Sequence, residues 1–459
     1  MSDPTLSQKL IRFSTQLGFS DIPADALTHA KFHVLDTIGI CLAASGDETT
    51  QAVKRSMARL GTNPESSIIG QADRFSAAAA AMINSTAAHG PDFDDTHQGS
   101  VIHISSIVVP SSLAMAEAVG ASGKDFLTAV TTGYETTTRL GMAAPGIFHM
   151  RGYHATALVG IFGTVLIAGK LQRLPEDVQC NALGIAGSQA SGILECLNAK
   201  SSLKQIQPGW AAYSGIVATL LAQEGVTGPN TVFEGRYGFF PSFLPEGNYD
   251  LTKAVAGLGQ KWEVNDIAYK LYPCCHHTQA FLDCIKELVG KNKFSLDEIE
   301  EIECIISPMQ AELLCKPLED RYAPKTAYTA KFSLPYVVSA MLHRGTVGLR
   351  EFSDEVIGDA GILKLARKLR FTESDDTGYP GAFPGWVRIK LQGGRLLEHR
   401  MLANRGAQNN PASDAEIVGK YEDNASLVLP RQKVDRLREL VMDLENVEDI
   451  RTLAENMRP

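Results

Sequence analysis

The chain has 459 residues, of which 44% are hydrophobic and 21% are charged, and its formal net charge is −9. This length predicts roughly two to four domains, and the apolar fraction excludes wholesale disorder. The acidic balance excludes a general nucleic-acid or anionic-membrane binder, because both need a basic field. An anionic substrate therefore requires positive groups that are concentrated at one place.

The N-terminal sequence has no basic segment followed by an apolar stretch, so we expect no signal peptide. The most apolar run, 155–169, is shorter than the ~20 residues that a membrane-spanning helix needs, and it predicts a helix buried on all sides. The eight cysteines lack the spacing of a disulfide scaffold. We therefore expect a cytoplasmic protein with reduced thiols.

The first part of the chain, up to about residue 260, predicts helices, because apolar residues recur there at three- and four-residue steps. Pro175 and Pro208-Gly209 are typical start signals for the helices that follow them. The predicted helices span 24–44, 77–88, 107–119, 124–138, 154–171, 176–197 and 210–223.

The pattern changes near residue 261. Strands are predicted at 262–268 and 300–307, and a hairpin is predicted by the runs 386–391 and 396–402 around Gly393-Gly394. Further helices are predicted at 278–289, 327–343, 361–369, 414–421, 431–444 and 447–455. The fold class is therefore mainly α with an α+β part. A large all-α helical domain would comprise 1–265 and 403–459, with the C-terminal helices returning to it, and a smaller α+β domain would comprise 266–402.

The densest polar cluster begins at His89 and ends at His103, and it holds three histidines and three aspartates. Such residues are good ligands for a divalent metal, but they also suit an acid–base site. A third interpretation is ordinary helix capping with solvated histidines. The spacing leaves all three open. Because Asp94 and Asp95 are adjacent, we expect only one of them to point inward and the other to be a cap or an ion-pair partner.

Two further motifs lie at helix ends. His154 precedes the apolar helix, whose positive end would favour a neutral, base-competent imidazole; the alternative is a side chain bonded to a local carbonyl. A polar loop at 198–209 carries Lys200 and Lys204, either of which could deliver an ammonium to an anion. Solvated lysines are the alternative there.

The fourth motif begins at Lys270 and contains Cys274-Cys275-His276-His277, at the boundary between the predicted domains, where clefts often form. Four consecutive residues cannot all converge on one tetrahedral zinc ion, so a turn before a helix is the alternative. The sequence has no P-loop, no Gly-rich dinucleotide fingerprint and no G-x-S-x-G motif, and therefore gives no evidence for a nucleotide cofactor or a serine nucleophile.

Taken in order, these stretches resemble the MmgE/PrpD family, which includes 2-methylcitrate dehydratase, cis-aconitate decarboxylase and iminodisuccinate epimerase. The resemblance runs along nearly the whole chain. The motifs that carry it are His89-x-x-Asp92-Phe93-Asp94-Asp95-Thr96 with His103, Gly152-Tyr153-His154-x-Thr156-Ala157, Lys204 with Pro208-Gly209, Lys270-x-Tyr272-Pro273-Cys274, Lys331-Phe332-Ser333-Leu334-Pro335-Tyr336, and Asn410-Pro411 with Lys420-Tyr421.

The resemblance implies a large all-α domain with a smaller α+β lid, usually as a homodimer, that acts on small di- or tricarboxylates without a metal or an organic cofactor. It implies catalytic roles for Asp92, His103, His154 and Lys204. The substrate contacts that it implies are Thr96, Lys270, His276, His277 and Tyr322.

The resemblance, together with these residues, implies a cofactor-independent hydro-lyase that removes a proton beside a carboxylate of a substrate such as 2-methylcitrate, in the cleft between the domains. His103 and His154 would be the base and the acid, in either assignment. Asp92 would orient one of them, and Lys204 with Lys270 would bind carboxylates.

Four positions depart from the family pattern: Ile104 replaces a usual Pro, Gln207 and Gln279 replace frequent histidines, and Leu318 aligns with a Tyr of decarboxylase-like members. The last departure argues against decarboxylation, although Tyr322 lies one turn away. The alternatives are an epimerase or isomerase of an amino- or imino-dicarboxylate and a cis-aconitate-type decarboxylase. More distant ones are a non-catalytic anion-binding homologue and a metal-dependent hydrolase built on His89, Asp92, Asp95 and His103.

Overall fold

The computed structural model describes residues 3–61, 63–199, 201–379 and 382–459, without the side chain of Asn198. The chain is predominantly α-helical with an α+β part, which confirms the predicted fold class. It divides into two compact units. Unit 1 comprises residues up to Gly90, Asp94–Ala268 and Asp414–Pro459, and unit 2 comprises Pro91–Phe93 and Tyr269–Ser413. The inclusion of residues 91–93 in unit 2 has no counterpart in the predicted limits.

Unit 1 is built from helices, with two pairs of two-residue antiparallel strands. Its strands are β1 (Ser66–Ser67), β2 (Arg74–Phe75), β3 (Thr96–His97) and β4 (Ile267–Ala268). Its helices before residue 268 are α1 (Leu6–Gln16), α2 (Ala24–Ala43), α3 (Glu48–Ala58), α4 (Ala77–His89), α5 (Ser105–Val119), α6 (Gly123–Met142), α7 (Ile147–Met150), α8 (Ala155–Leu171), α9 (Glu176–Gln189), α10 (Glu195–Asn198), α11 (Leu203–Gln223) and α12 (Phe239–Phe243).

Unit 2 packs helices against one four-stranded sheet of order β6-β5-β7-β8. The strands are β5 (Ile299–Ile306), β6 (Leu369–Glu373), β7 (Gly385–Leu391) and β8 (Leu396–Met401), and only the β5–β6 pair is parallel. Its helices are α13 (Gln279–Lys291), α14 (Pro308–Leu314), α15 (Leu318–Tyr322), α16 (Ala327–Lys331), α17 (Leu334–Arg344), α18 (Asp354–Ile357) and α19 (Ala360–Ala366). Three further helices belong to unit 1: α20 (Asp414–Ala425), α21 (Arg431–Met442) and α22 (Arg451–Asn456).

The helix predicted at 210–223 begins seven residues earlier, so Lys204 lies in the first turn of α11 and the prediction of a loop there was wrong. Pro208 is inside the helix and was misread as its start. A proline removes one backbone donor but does not forbid a helix when packing supports the turn around it. That support comes from Gly209, where a Cβ atom would lie 2.5 Å from the Met82 carbonyl of α4. Lys200 lies outside the described residues.

Three other predicted elements are interrupted. The helix expected at 176–197 is divided into α9 and α10. The helix expected at 327–343 is divided into α16 and α17, because Ser333 caps a new helix by accepting a hydrogen bond from the Tyr336 amide. The strand expected at 262–268 is a 3₁₀ turn at Glu263–Asp266 followed by β4. The apolar run 155–169 forms α8 and is buried throughout, as predicted.

Among the described residues, no helix is long and apolar enough to cross a membrane. The cytoplasmic location and the homodimer stay predictions.

Close helix packing in unit 1 depends on glycine, and substitution of Gly163 by alanine should destabilise the protein. A Cβ atom on Gly163 would overlap Thr137 Oγ1 of α6, and such overpacking costs about 1–3 kcal/mol. The matched control is Gly419→Ala in α20, where nothing lies within 4 Å of the added atom, and where we expect a gain of roughly 0.5–1 kcal/mol. Urea unfolding measures both variants, and a stabilised Gly163→Ala protein would contradict the packing argument.

A buried charge network in unit 1 holds two carboxylates around one guanidinium. Arg139 Nη2 lies 3.4 Å from Glu135 Oε2 and 3.5 Å from Glu263 Oε1, and Glu263 also lies near His97 and Lys261. Burial raises the pKa of Glu135 to about 7 despite Arg139. Burial would also raise the pKa of Glu263, but His97, Lys261 and Arg139 together lower it to about 2. The two glutamates therefore differ in charge at mildly acidic pH.

The raised pKa predicts a pH-dependent loss of stability. The contribution of Glu135 is fully present below its ordinary pKa of 4.5 and is lost as the pH rises through about 7, because the folded state then holds a buried anion. In Glu135→Gln the free energy of unfolding should fall less between about pH 5.5 and 8 than in the wild type. Urea midpoints at several pH values measure this, with the exposed Glu48→Gln as control; identical pH slopes in all three proteins would refute it.

Candidate active site

The C-terminal end of α4 and the first turn of α11 bring an imidazole and an ammonium together in unit 1. Lys204 Nζ donates to His89 Nε2 at 3.1 Å, and His89 Nδ1 lies 2.6 Å from Asp94 Oδ2. Because a carboxylate only accepts and an ammonium only donates, His89 carries its hydrogen on Nδ1. All three side chains are buried. The result is a carboxylate–imidazole–ammonium chain.

His154 lies at the N-cap position of α8, beside the hydrogen-bonded side chains of Asp94, His89 and Lys204. Its ring centroid is 5.3 Å from that of His89, and its Nδ1 lies 2.8 Å from Gln207 Oε1. Burial, followed by the charge of Lys204 and the neighbouring His89 and His149, holds the pKa of His154 well below its ordinary value. The imidazole is therefore neutral. The sequence predicts a neutral ring from the helix end, whereas burial and the charge of Lys204 are the main causes in the structure. The Nε2 atom of His154 is buried without a hydrogen-bond partner among the described residues.

His103 completes the group of imidazoles, with its ring centroid 5.1 Å from that of His89. Its Nδ1 lies 3.1 Å from both the Asp95 carbonyl oxygen and Thr96 Oγ1, and its backbone N–H donates to Thr156 Oγ1. Since the carbonyl only accepts, His103 also carries its hydrogen on Nδ1. Thr96, predicted to contact substrate, thus lies against a predicted catalytic histidine.

Asp94 and Asp95 are both buried, so the expectation that only one of them points inward was wrong. Asp94 faces His89, whereas Asp95 accepts from the Ser105 amide and side chain and pairs with His33 Nδ1 at 2.7 Å. The second half of that expectation is correct, since Asp95 serves as both a cap of α5 and an ion-pair partner. Although burial raises the pKa of Asp95, the contacts with His33 and Ser105 hold it below its ordinary value.

His149 was not singled out from the sequence, although it lies five residues before His154. Its ring centroid is 6.2 Å from that of His154. Burial, and then Lys204, lower its pKa to about 4. His97, by contrast, turns away from this group and lies 3.3 Å from Glu263. The sequence alone does not distinguish the environments of His149 and His97, because both have polar and apolar neighbours along the chain. The difference arises from the tertiary fold.

Asp92 and Lys270, which the resemblance places at the site, contact each other within unit 2. Lys270 is fully buried and its Nζ donates to the Asp92 carbonyl at 3.1 Å and to Asp92 Oδ1 at 3.0 Å. Lys331 Nζ donates to the Pro91 carbonyl. Asp92 adopts φ 55°, a left-handed conformation that is uncommon outside glycine. Two buried ammonium groups thus hold the backbone of residues 91–92. Lys331 belongs to one of the motifs that carry the family resemblance, but the sequence predicted no role for it.

The remaining predicted contacts are also in unit 2. His276 Nε2 lies 3.2 Å from Asn404 Oδ1, and burial, followed by Lys270, lowers the His276 pKa to about 3. His277 accepts from Gln310 Nε2 at 3.3 Å and packs on Phe383. Tyr322 Oη donates to the Leu369 carbonyl and accepts from Arg370, so both hydrogen bonds of this hydroxyl are made with β6. The substrate-binding roles of these three residues stay predictions.

The two glutamines that the resemblance aligns with frequent family histidines make different contacts. Gln279 Oε1 accepts from the Leu271 and Tyr272 amides, and its Nε2 donates to the Tyr272 and Cys274 carbonyls. It therefore holds the backbone that follows Lys270. Gln207 instead contacts an imidazole.

One group of described residues could hold a metal ion: His89, Asp94 and His103 each offer a ligand atom, and these atoms lie within 4.8 Å of one another. Two imidazoles and a carboxylate suit zinc, but His89 Nδ1 and Asp94 Oδ2 are already joined by a short hydrogen bond. Of the residues in the sequence-based metal alternative, Asp95 is bonded to His33 and Ser105, and Asp92 is part of unit 2.

Family models match most of the chain. The MmgE/PrpD N-terminal domain matches residues 8–252, and the MmgE/PrpD C-terminal domain matches residues 272–446. The chain belongs to the MmgE/PrpD family. This confirms the resemblance drawn from the ordered motifs.

Relatives in the MmgE/PrpD family align along nearly their whole length. A protein of Aspergillus terreus named cis-aconitate decarboxylase is 29% identical over 98% of this chain and 95% of its own length. The mouse protein of that name is 28% identical over 93% of this chain and 88% of its own. The human one is 27% identical over 93% of this chain and 89% of its own.

Proposed function

We propose that this chain is a lyase that acts on a small di- or tricarboxylate and transfers a proton between a substrate carbon and His154. The observation that carries the proposal is the state of this imidazole: it is buried, neutral and bonded through Nδ1, and its Nε2 has no partner among the described residues. A neutral imidazole with an available lone pair is a suitable general base. His103 is the second proton carrier of the proposal.

The charge of the substrate is inferred from Lys204. Its ammonium is buried beside His89 and beside the neutral imidazole of His154. Removal of a proton next to a carboxylate produces an enolate-like anion, and a buried ammonium stabilises such a charge more strongly than water does. The overall charge of −9 is therefore compatible with an anionic substrate, since the cation that matters is local.

Two branches of this chemistry are each favoured by one observation. The relatives favour decarboxylation of cis-aconitate, because the aligned proteins carry that name. In that reaction the bond to one carboxyl carbon breaks, CO₂ leaves, the electron pair is delocalised over the alkene and a remaining carboxylate, and an imidazolium then protonates carbon. In this branch His154 would need to be protonated before it could transfer a proton to the substrate carbon.

The residues favour dehydration of a hydroxy-tricarboxylate such as 2-methylcitrate. His154 Nε2 would remove the C–H proton, and hydroxide would leave with a proton from a second imidazole, so that water is the product. The neutral resting state of His154 fits this order of events. Leu318 replaces the Tyr of decarboxylase-like members, and the nearby Tyr322 hydroxyl is bonded to Leu369 and Arg370.

The test is to incubate the full chain in D₂O with cis-aconitate, 2-methylcitrate or citrate and to follow products by NMR and CO₂ release. Deuterium in an unsaturated dicarboxylate with CO₂ identifies decarboxylation, and loss of water without CO₂ identifies dehydration. A further incubation contains an amino- or imino-dicarboxylate. Deuterium exchange into that substrate without CO₂ release and without loss of water would indicate the epimerase or isomerase alternative. No turnover and no exchange with any of these acids would overturn the proposal.

Treatment with a chelator distinguishes the proposed lyase from the metal-dependent hydrolase, since the group His89, Asp94 and His103 could bind zinc. We expect turnover to be unchanged after treatment with a chelator and not to rise on addition of Zn²⁺. Loss of activity with the chelator and recovery with Zn²⁺ would instead favour the metal-dependent hydrolase.

A further inference from the structure

Gln207 has a defined orientation, which its two hydrogen bonds determine. Its Nε2 donates to the Ile193 carbonyl at 2.8 Å, and only the amide nitrogen can make that bond. Its Oε1 therefore faces His154 Nδ1 at 2.8 Å. Gln207 is buried, and it lies three residues after Lys204 on α11, so both side chains project from the same face of the helix.

An amide oxygen only accepts hydrogen bonds, so the bonded nitrogen of His154 must carry the hydrogen. We propose that Gln207 is a positioning residue that fixes His154 in the Nδ1–H tautomer and thereby leaves Nε2 to exchange the proton with substrate. This inference rests on the proposed function for its catalytic consequence. The tautomer itself is a property of the free protein.

The partner of each imidazole also sets its basicity. His89 donates its Nδ1–H to the carboxylate of Asp94, an anion that stabilises the imidazolium. His154 donates to a neutral amide, which orients the ring without adding negative charge. The charged and titratable groups that face His154 are Lys204 on α11, His89 on α4 and His149 on α7. Lys204 opposes a positive charge on the ring, and the two histidines add to this effect when protonated.

A glutamine at this position thus separates two tasks that a histidine would combine. A histidine can donate or accept at the same nitrogen and can itself become charged, so it would not fix one tautomer of its neighbour. Gln207 accepts from His154 at every pH. The departure from the family pattern at this position is therefore a change in the control of His154 rather than a loss of polar contact.

The test compares Gln207→Met, Gln207→Glu and the wild type by ¹⁵N NMR of histidine-labelled protein, with His154→Asn to assign the His154 signals. The wild type should show a protonated Nδ1 and an unprotonated Nε2 for His154. Gln207→Met removes the acceptor and should populate the Nε2–H tautomer. Gln207→Glu keeps an acceptor but adds charge, so it should restore the Nδ1–H form and raise the pKa of His154 by at least about one unit.

The matched control is Gln205→Met, in the same turn of α11, where Gln205 Nε2 bonds the Gly90 carbonyl instead of an imidazole. It should leave the His154 tautomer unchanged. In the activity assay, the acidic limb of the pH–rate profile should move to higher pH in Gln207→Glu, and kcat should fall more than KM rises in Gln207→Met. A purely structural role would change stability without moving either the tautomer or the limb.

An unchanged His154 tautomer in Gln207→Met would overturn the inference, whether or not the protein turns over any carboxylate. The expected tautomer change together with absence of turnover in the wild type would overturn the proposed function alone. The NMR measurement therefore tests the role of Gln207, and the activity measurement tests the proposed function independently of it.

Discussion

Replacement of His154 by asparagine is expected to lower kcat about 10²–10⁴-fold, the range for loss of a general acid–base group. The asparagine amide can still donate to Gln207 Oε1, where His154 Nδ1 lies 2.8 Å away in the native protein. It offers no ring nitrogen in place of Nε2. The variant therefore retains the contact that orients the side chain and loses only the group that exchanges the proton.

The comparison variant is His149→Asn, which removes another buried imidazole of the same group. The His149 ring centroid lies 6.2 Å from that of His154, and we expect a smaller loss than in His154→Asn because no hydrogen bond joins the two rings. Steady-state kinetics with the substrate turned over fastest, together with thermal midpoints, measure both variants. A His154→Asn protein that keeps its fold and stays within tenfold of wild-type kcat would refute the assigned role.

The sequence predicts those features of the fold that local periodicity and turn chemistry determine. The apolar run 155–169 gives α8 and places His154 at its head. The alternation at 300–307 and the Gly393-Gly394 turn give β5 and the β7–β8 hairpin, within one or two residues of their observed limits. These elements are predictable because each depends on its own residues, through burial of one face or a positive φ at glycine.

The start of α11 could not be predicted from local signals, because it depends on a neighbouring helix. Pro208 is a valid helix start signal in isolation, yet α11 begins at Leu203. The packing of Gly209 against Met82 of α4 supports the extra turn. Without that turn Lys204 reads as a loop lysine, and its contact with His89 at the end of α4 is not foreseen.

The partners of the histidines were equally beyond local pattern. Asp94 and Asp95 have opposite partners, His89 and His33, and the second of these comes from α2, far away in the sequence. An unpaired buried carboxylate costs too much free energy, so two adjacent carboxylates can both point inward only when each has its own buried partner. Here the partners are two separate imidazoles. Which imidazoles lie close enough is decided by the tertiary structure.

Replacement of Lys270 by methionine is expected to lower the free energy of unfolding by about 3–5 kcal/mol, the cost of leaving one partner of a buried ion pair alone. Lys270 is fully buried and donates to both the carbonyl and the carboxylate of Asp92. Methionine has a similar length but no donor. The change therefore leaves a buried carboxylate and a left-handed backbone at Asp92 without their ammonium.

The matched control is Lys390→Met, in the same unit, where the ammonium lies 3.2 Å from Glu300 Oε2 and both side chains are about half exposed. An exposed pair contributes about 0–1 kcal/mol. Urea unfolding of the full chain compares the two variants at the same pH and ionic strength. Equal costs for Lys270→Met and Lys390→Met would contradict the view that burial makes the Lys270 pair important.

The double variant Lys270→Met with Asp92→Asn separates the charge from the backbone. Asparagine tolerates a positive φ and is neutral, so it should recover part of the stability lost in Lys270→Met. The part that is not recovered measures the two hydrogen bonds that Lys270 makes to residue 92. Since Lys331 also bonds the Pro91 carbonyl, residues 91–92 should keep their place in unit 2 in the double variant. A double variant as unstable as Lys270→Met would show that the backbone contact, and not the buried carboxylate, is what this lysine stabilises.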